Sequence, residues 1–484
     1  MPIFRKLEDI AMIKYTRFEH NGVKGASFWP GCLTPPLAGG SEGGQEPPGA
    51  VKKLRRPLLL LTDLYTTAVE AVSPYGATLE RLEYVRRTFT DGDFSGLYVA
   101  AIGKSAYAMA SAVEEALPDL LIGGVAITKY GHADCQPLQK ITLFEADHPT
   151  PDKNGLEATR HLLGLARGLD ENAMLLCLIS GGGSALCLCP VDGISLQDKQ
   201  TTTALLLRAG ASIAELNAVR KHLSLVKGGQ LARMAHPARV VSLIISDCVG
   251  DPLDVIASGP TTADTTTFED ALNVLKKYDL TRQVPPSVVN YLLAGQRGQQ
   301  PETPKGDDTI LKGVENIIVA NNLKALDAAH TRATLMGVDA RILTDSLSGE
   351  ARDAARWLAS QVRQQQRSVT PLCLISGGET TVIVRGGGIG GRNMELALAF
   401  AIESEGLDGV TLLSVGTDGT DCVDDAAGAI VDGDTVIKAR SMGLDPMQYL
   451  SSNDSYNFFK HIGGLFVTGP TQVNVMDIQL IAIA

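Results

Sequence analysis

The chain has no apolar run approaching the roughly 18 residues needed to span a bilayer, so no membrane helix is expected. Its longest leucine run, Leu58-Leu59-Leu60-Leu61, stops at Thr62 and Asp63. A surplus of positive charge is missing too. The 43 Lys and Arg stand against 54 Asp and Glu, a net charge of −11, which argues against general nucleic-acid binding. Metal-ligand spacing is absent: the eight His form no HxxxH pair, and Cys187-Leu188-Cys189 is not a CxxC motif, so no zinc site is expected. Cys177, Cys248 and Cys373 lie in or at the ends of apolar, strand-like runs, where a thiol acts as a small hydrophobe. The cysteines therefore read as reduced, which suits an intracellular compartment.

Residues 1–55 carry no periodic apolar pattern, and Asn21 to Ala50 is rich in Gly, Pro and Ser; the segment reads as a disordered extension. Arg5, Lys6, Lys14 and Arg17 raise a mitochondrial leader as an alternative to a cytoplasmic protein, but Glu8, Asp9 and Glu19 spoil the acid-poor signature. Folded structure is expected from about Leu58, with a helix from Asp63 to Val72 stopped by Pro74. Strand and helix patterns then alternate, which predicts an α/β fold with a mostly parallel sheet covered by helices. At 484 residues more than one domain is expected: one over 58–300 and a second over 310–484, with a linker-like stretch from Gln296 to Asp308 that is either a boundary or a surface loop. A homo-oligomer is left open.

What the chain has in quantity is glycine, 50 residues of it, and two clusters stand out. Ser180-Gly181-Gly182-Gly183-Ser184 follows the apolar run Met174 to Ile179. Gly386-Gly387-Gly388-Ile389-Gly390-Gly391 follows Thr381 to Val384 and leads into a helical pattern, Met394 to Ile402. A strand, a bare glycine turn and a helix start together form an anion site, because backbone N–H groups can approach a phosphate where no Cβ intervenes. Ile102-Gly103-Lys104-Ser105 resembles the tail of a P-loop, but Tyr98 stands where its first Gly is required, leaving a Lys at a strand end. Gly386-x-Gly388-x-x-Gly391 matches the dinucleotide fingerprint by letter, without the acid about 20 residues later. Gly182-Gly183-Ser184-Ala185-Leu186 is not a nucleophile elbow, so Ser184 reads as an anion-binding hydroxyl.

Asp247, Glu379 and Asp418 each lie just beyond an apolar, strand-like run. Three carboxylates on one rim can hold Mg²⁺ or take a proton from a hydroxyl; singly, each reads as an ordinary loop cap. Ser212 and Glu215 form a capping box for a helix on which Asn217, Arg220, Ser224 and Lys227 share a face opposite Ile213, Leu216 and Leu223. That stripe is either solvated or, through Arg220 and Lys221, binds a small carboxylate.

Taken in order, these blocks resemble the glycerate 2-kinases that carry a C-terminal MOFRL region. The resemblance runs from about residue 61 to 484. It is carried by Ile102-Gly-Lys, Leu178-Ile-Ser-Gly-Gly-Gly-Ser, Glu215-Leu-Asn-Ala-Val-Arg-Lys-His-Leu-Ser, Ser246-Asp-Cys-Val-Gly-Asp-Pro-Leu-Asp-Val-Ile-Ala-Ser-Gly-Pro, Ser376-Gly-Gly-Glu-Thr, Gly390-Gly-Arg-Asn, Gly416-Thr-Asp-Gly-Thr-Asp and Thr468-Gly-Pro-Thr. It implies a Rossmann-like larger domain and a smaller C-terminal α/β domain, with the MOFRL region at about 371–480 and the active site between them. It also implies ATP-dependent phosphorylation of D-glycerate at its 2-position, with ATP and Mg²⁺ as cofactors. Lys104, Asp247, Glu379, Arg392, Asp418 and Asn474 match the positions that the family treats as active-site groups. Gly181, Gly182, Gly183, Ser184, Arg220 and Gly390 join them as candidate substrate- or nucleotide-binding residues. The chain departs from the family at Cys422-Val423-Asp424, usually Gly-Pro-Thr, and at Val473, Cys248 and Met394, usually Thr, Val and Gln. Two other readings remain: an NAD(P)-dependent hydroxypyruvate reductase, and a diverged, non-catalytic sugar-acid or nucleotide-binding protein.

The extension holds none of these motifs. Deleting residues 1–50 is therefore expected to leave turnover within about twofold of the full chain's; a truncated protein that folds but loses most of its turnover would contradict this.

Overall fold

The computed structural model describes residues 50–133, 136–365 and 371–484. The extension expected over 1–55 lies mostly outside these residues, and from Ala50 the chain is already helical. The first helix, Ala50–Ala71, is followed at once by another, Pro74–Asp91. Pro74 starts this second helix as well as ending the first. Its missing N–H falls in the first turn, where no intrahelical partner exists, and the Ser73 hydroxyl caps the Gly76 N–H.

The strands are β1 (Gly96–Ile102), β2 (Leu121–Lys129), β3 (Ile141–Ala146), β4 (Ala173–Ile179), β5 (Arg239–Ile245), β6 (Val314–Ala320), β7 (Asp339–Glu350), β8 (Leu372–Thr381), β9 (Val410–Gly416), β10 (Gly428–Asp432), β11 (Leu465–Phe466) and β12 (Asp477–Ile483). The first six form a wholly parallel sheet in the order β3-β2-β1-β4-β5-β6. Helices cover both faces, so strands such as β4 (Ala-Met-Leu-Leu-Cys-Leu-Ile) are buried along their whole length and show no alternation. This order reverses winding direction between β1 and β4, which opens a crevice at their C-terminal ends. Gly103-Lys104 and Ser180-Gly181-Gly182 lie there.

The other six strands form a mixed sheet, β11-β10-β9-β12-β8-β7, in which only the β7–β8 pair is parallel. β6 belongs to the first sheet, so the stretch from Gln296 to Asp308 is not where one sheet gives way to the next. It packs as a surface loop. The Glu302 carboxylate accepts from the Phe268 N–H, and the Thr303 hydroxyl donates to Asp264.

One apolar core runs between the sheets. It takes Leu97, Leu176 and Val241 from the first, Ile375, Leu413 and Ile478 from the second, and Ala325, Leu326 and Ala329 from the helix Asn322–Leu335 between them. The helix Ala50–Ala71 closes this layer. Its Tyr65 hydroxyl donates to the Gly416 carbonyl at 3.1 Å, and its ring meets Phe466 edge-on at 5.5 Å. Among the described residues no helix is long and apolar enough to cross a membrane.

A buried amide adds a polar tie to this apolar seam. Asn322, the residue that opens the helix after β6, is buried, and its Nδ2 donates to the Val475 carbonyl at 2.8 Å and the Asp477 carbonyl at 3.0 Å. Asn322→Ala removes both bonds, and we expect a loss of about 1–3 kcal/mol in unfolding free energy by urea titration. An unchanged midpoint would show that the seam is held by apolar packing alone.

Candidate active site

The crevice at the switch point is built by close backbone approach. The Lys104 N–H donates to the Gly181 carbonyl at 2.9 Å, and the Ser105 N–H donates to the Ser180 hydroxyl at 3.1 Å. A Cβ on Gly181 would overlap Asp247 Oδ2, so glycine there is what lets the carboxylate after β5 lean over the turn. Lys104 and His148 both crowd Gly182. Burial raises the Asp247 pKa, opposed by the nearby Lys104. His148 was not singled out by sequence. Burial, then the charges of Lys104 and Lys129, push it down to about 4, so it faces the turn as a neutral ring. Its only signal was a His-Pro pair just past a strand on the same rim.

The helix Ile213–His222 starts at the expected capping box. The polar stripe is not solvated. Asn217 is buried and accepts from the Ser258 hydroxyl at 3.1 Å, and the Ser258 hydroxyl lies 2.7 Å from that of Ser184. Arg220 donates to the Ser184 carbonyl at 3.2 Å, and Lys227, beyond the helix end, donates to the same carbonyl at 2.8 Å. Lys221 is not available to a ligand, because its ammonium is buried between Asp254 at 3.1 Å and Asp264 at 3.3 Å. Ile213, expected on the apolar face, is exposed. Ala257 and Ser258 hold φ of 50° and 61°, a strained pair against Gly183 and Ser184 of the kind found around ligand sites.

The second sheet supplies the other wall. Arg392 opens the helix Arg392–Glu403. Its Nε and Nη2 grip the buried Asp477 at 2.6 and 3.0 Å, while its Nη1 reaches Glu379 at 2.7 Å. Burial works against the Arg392 charge, yet these carboxylates hold it firmly protonated. Asp477 escaped the sequence reading. Its one signal was an acid opening an otherwise apolar strand. Burial raises the Glu379 pKa; Arg392 opposes the rise, and the charges of Asp477, Asp247 and Asp418 reinforce it. Carboxylates of the two sheets thus lie within electrostatic reach of one another. Asp418 follows β9, and its Oδ1 accepts from the Thr420 N–H at 3.1 Å. Asn474 lies just before β12 and accepts from the Met476 N–H at 3.1 Å.

The second glycine cluster works differently from the strand–turn–helix anion site expected of it. β8 ends at Thr381, and Ile383 and Val384 are exposed in a loop. A Cβ on Gly388 would overlap Asp454, and Gly386 and Gly390 pack as tightly on Ser452 and Ser455. The helix start is already occupied: Asp421 accepts from the Asn393 and Met394 N–H groups at 3.1 and 2.8 Å. Burial pushes Asp421 up to about 7 against the pull of these two bonds. The metal question is narrower. Among the described residues no three His, Cys, Asp or Glu form a ready-made cation cage.

The chain matches the domain of unknown function DUF4147 over residues 60–293 and the MOFRL family over 372–477. It is 46% identical to a D-glycerate 2-kinase of Thermotoga maritima over 87% of this chain and 96% of that protein. It is 42% identical to a putative hydroxypyruvate reductase of Agrobacterium vitis over 80% and 86%. The crystal structure of a Thermotoga maritima glycerate kinase superposes with a TM-score of 0.80 at 45% identity, covering 89% of this chain and all of that one. The chain belongs to the glycerate kinase family with a C-terminal MOFRL region.

Cys422, one of the departures from the family pattern, is exposed at φ 62°, where a Cβ is strained and glycine is not. Cys422→Gly should therefore raise stability by about 0.5–1 kcal/mol, read as a higher denaturation midpoint at constant slope. A lower midpoint would mean that the side chain makes contacts worth more than the strain.

Proposed function

We propose that this protein is an ATP-dependent D-glycerate 2-kinase. The observation that carries the reading is the Arg392–Glu379 ion pair on the second sheet, whose carboxylate feels the charge of Asp247 from the first sheet and of Asp418 from the second, with Lys104 in turn acting on Asp247. The D-glycerate 2-kinase relative at 46% identity supports it. In this reading the glycerate C2 hydroxyl attacks the γ-phosphorus of ATP. A bond forms between O2 and phosphorus, the bond to the β–γ bridging oxygen breaks, ADP leaves, and the hydroxyl proton passes to Asp247. A carboxylate whose pKa is raised by burial is the better base for that proton. Lys104 and Arg392 face the charge that develops on the transferring group. Asp477 and Glu379 hold the guanidinium in place, so its reach is set before substrate arrives.

The donor set fits Mg²⁺. That ion usually takes one or two protein carboxylates and completes its shell with phosphate oxygens and water, so a cage is not required. With Asp247 taking the proton, Asp418 would hold it, and it would neutralise phosphate charge among carboxylates that outnumber the two cations. The reductase reading lacks its site, since Gly386-x-Gly388-x-x-Gly391 follows a loop and its glycines are spent on packing.

The protein should release ADP only with D-glycerate, ATP and Mg²⁺ all present, and the product should carry phosphate on C2. A C3 phosphate, or NADH oxidation with hydroxypyruvate and no ADP release, would overturn the reading. Lys104→Ala and Arg392→Ala should each lower kcat by about 10²–10³. Arg392→Lys should recover only part, because an ammonium cannot reproduce the forked guanidinium. Near-normal kcat in either Ala variant removes that residue from the site.

A further inference from the structure

Beside the cleft lies a cavity of about 870 Å³. Its volume falls high in the range of roughly 300–1,000 Å³ that drug-sized ligands occupy, and far exceeds what a three-carbon acid fills. Gly182, Ser184 and Asp247 form the side shared with the cleft; the rest comes from the helices Leu196–Arg208 and Ile213–His222. Only the short link Ala209 to Ser212 joins them, so they run as a hairpin, and the wall they present changes character along its length. Leu207 and Ile213, both exposed, form an apolar lip beside the link. Eight residues back on one helix and seven on along the other stand Lys199 and Arg220, about 10–12 Å away at 1.5 Å per residue. Arg220 touches the glycine turn through the Ser184 carbonyl.

Lys199 is buried, and its Nζ finds no hydrogen-bond partner among the described residues. The charges nearest to it are of its own sign: Arg220, and Lys227, whose two bonds go to backbone carbonyls. A buried, unpaired ammonium is expensive, and three cations with no carboxylate among their bonded partners make a site prepared for an anion. Burial, then the charge of Arg220, pull Lys199 down to about 7, as expected of an ammonium awaiting its counter-ion.

We propose that this hairpin binds the nucleotide, with Lys199 and Arg220 on its phosphates and the Leu207–Ile213 lip over its base. The proposal rests on the kinase reading above and adds to it where the nucleotide lies. The separation of cations from lip matches an extended nucleotide, whose charged and apolar ends lie at opposite ends of the molecule. A carboxylate of the acceptor is the other anion that Lys199 could meet, and separate titrations distinguish the two.

Isothermal titration of the full chain with ADP, adenosine and D-glycerate, each alone, tests this. Lys199→Met should weaken ADP by about thirtyfold or more, through loss of a buried charge partner, and leave D-glycerate within twofold. Its ligand-free melting temperature should equal or exceed wild type's, because an unpaired buried cation has gone. Ile213→Asp changes an exposed residue, so it tests the lip even if the first variant does not fold. It should weaken ADP and adenosine alike. If D-glycerate weakens and ADP does not, the cavity holds the acceptor and the proposal fails. Wild-type ADP affinity in both variants overturns it as well, with the kinase reading intact. Wild-type protein that neither binds ADP nor turns over would instead sink the kinase reading itself.

Discussion

The candidate site depends on how the second sheet is set against the first, and beside the apolar core between them the Asn322 amide helps to fix that placement. Asn322 stands two residues beyond the end of β6, the last strand of the parallel sheet, and its Nδ2 holds the carbonyls of Val475 and Asp477 where the chain enters β12. β12 is a central strand, paired with β8 on one side and β9 on the other. Fixing its first residue therefore fixes the strands that bear Glu379 and lead to Asp418. The Asp477 backbone is pinned by Asn322 and its side chain grips Arg392. One buried amide is thus connected, through a single residue, to the guanidinium that faces the transferring phosphoryl group in the proposed mechanism. Tyr65 reinforces the same end of the sheet by bonding the Gly416 carbonyl, two residues before Asp418.

The charge balance of the cleft follows from this geometry. Asp247, Glu379, Asp418 and Asp477 share it with Lys104 and Arg392, and burial raises the pKa of Asp247, Glu379 and Asp477. A site so rich in carboxylate repels a bare polyphosphate. It becomes favourable for one only when a divalent cation accompanies the nucleotide, or when the phosphates lie toward a separate cationic patch. The proposed Mg²⁺ site and the proposed Lys199–Arg220 hairpin, which shares its cavity with Gly182 and Ser184, would meet these two needs.

The centre of the parallel sheet was legible because β1, β4 and β5 are buried over nearly their whole length and are almost entirely apolar. Lys104, Asp247 and Asp418 stood out because each sits where such a run ends. What escaped reading depends on long-range partners. Asp477 looks like an ordinary strand start until Arg392, 85 positions away in sequence, is seen to close on it. Lys199 looks like a helix-surface lysine until two helices and a turn enclose it. The segment 382–391 misled because glycines that let two loops pack leave the same letters as glycines that admit a phosphate, and only the positions of Ser452, Asp454 and Ser455 separate the two.

The two glycine clusters therefore divide their labour. At 180–184 the missing Cβ atoms bring a carboxylate, a lysine and a cavity wall onto one turn. At 386–391 they let a long loop lie flat on its neighbours, with Asp421 supplying the negative charge that the helix start would otherwise take from a ligand. Placing an acid there leaves Arg392, in the first turn of the same helix, as the group through which that helix can meet an anion. The residue that fixes the helix start is Asp421, just before Cys422-Val423-Asp424, and it holds the Asn393 and Met394 N–H groups.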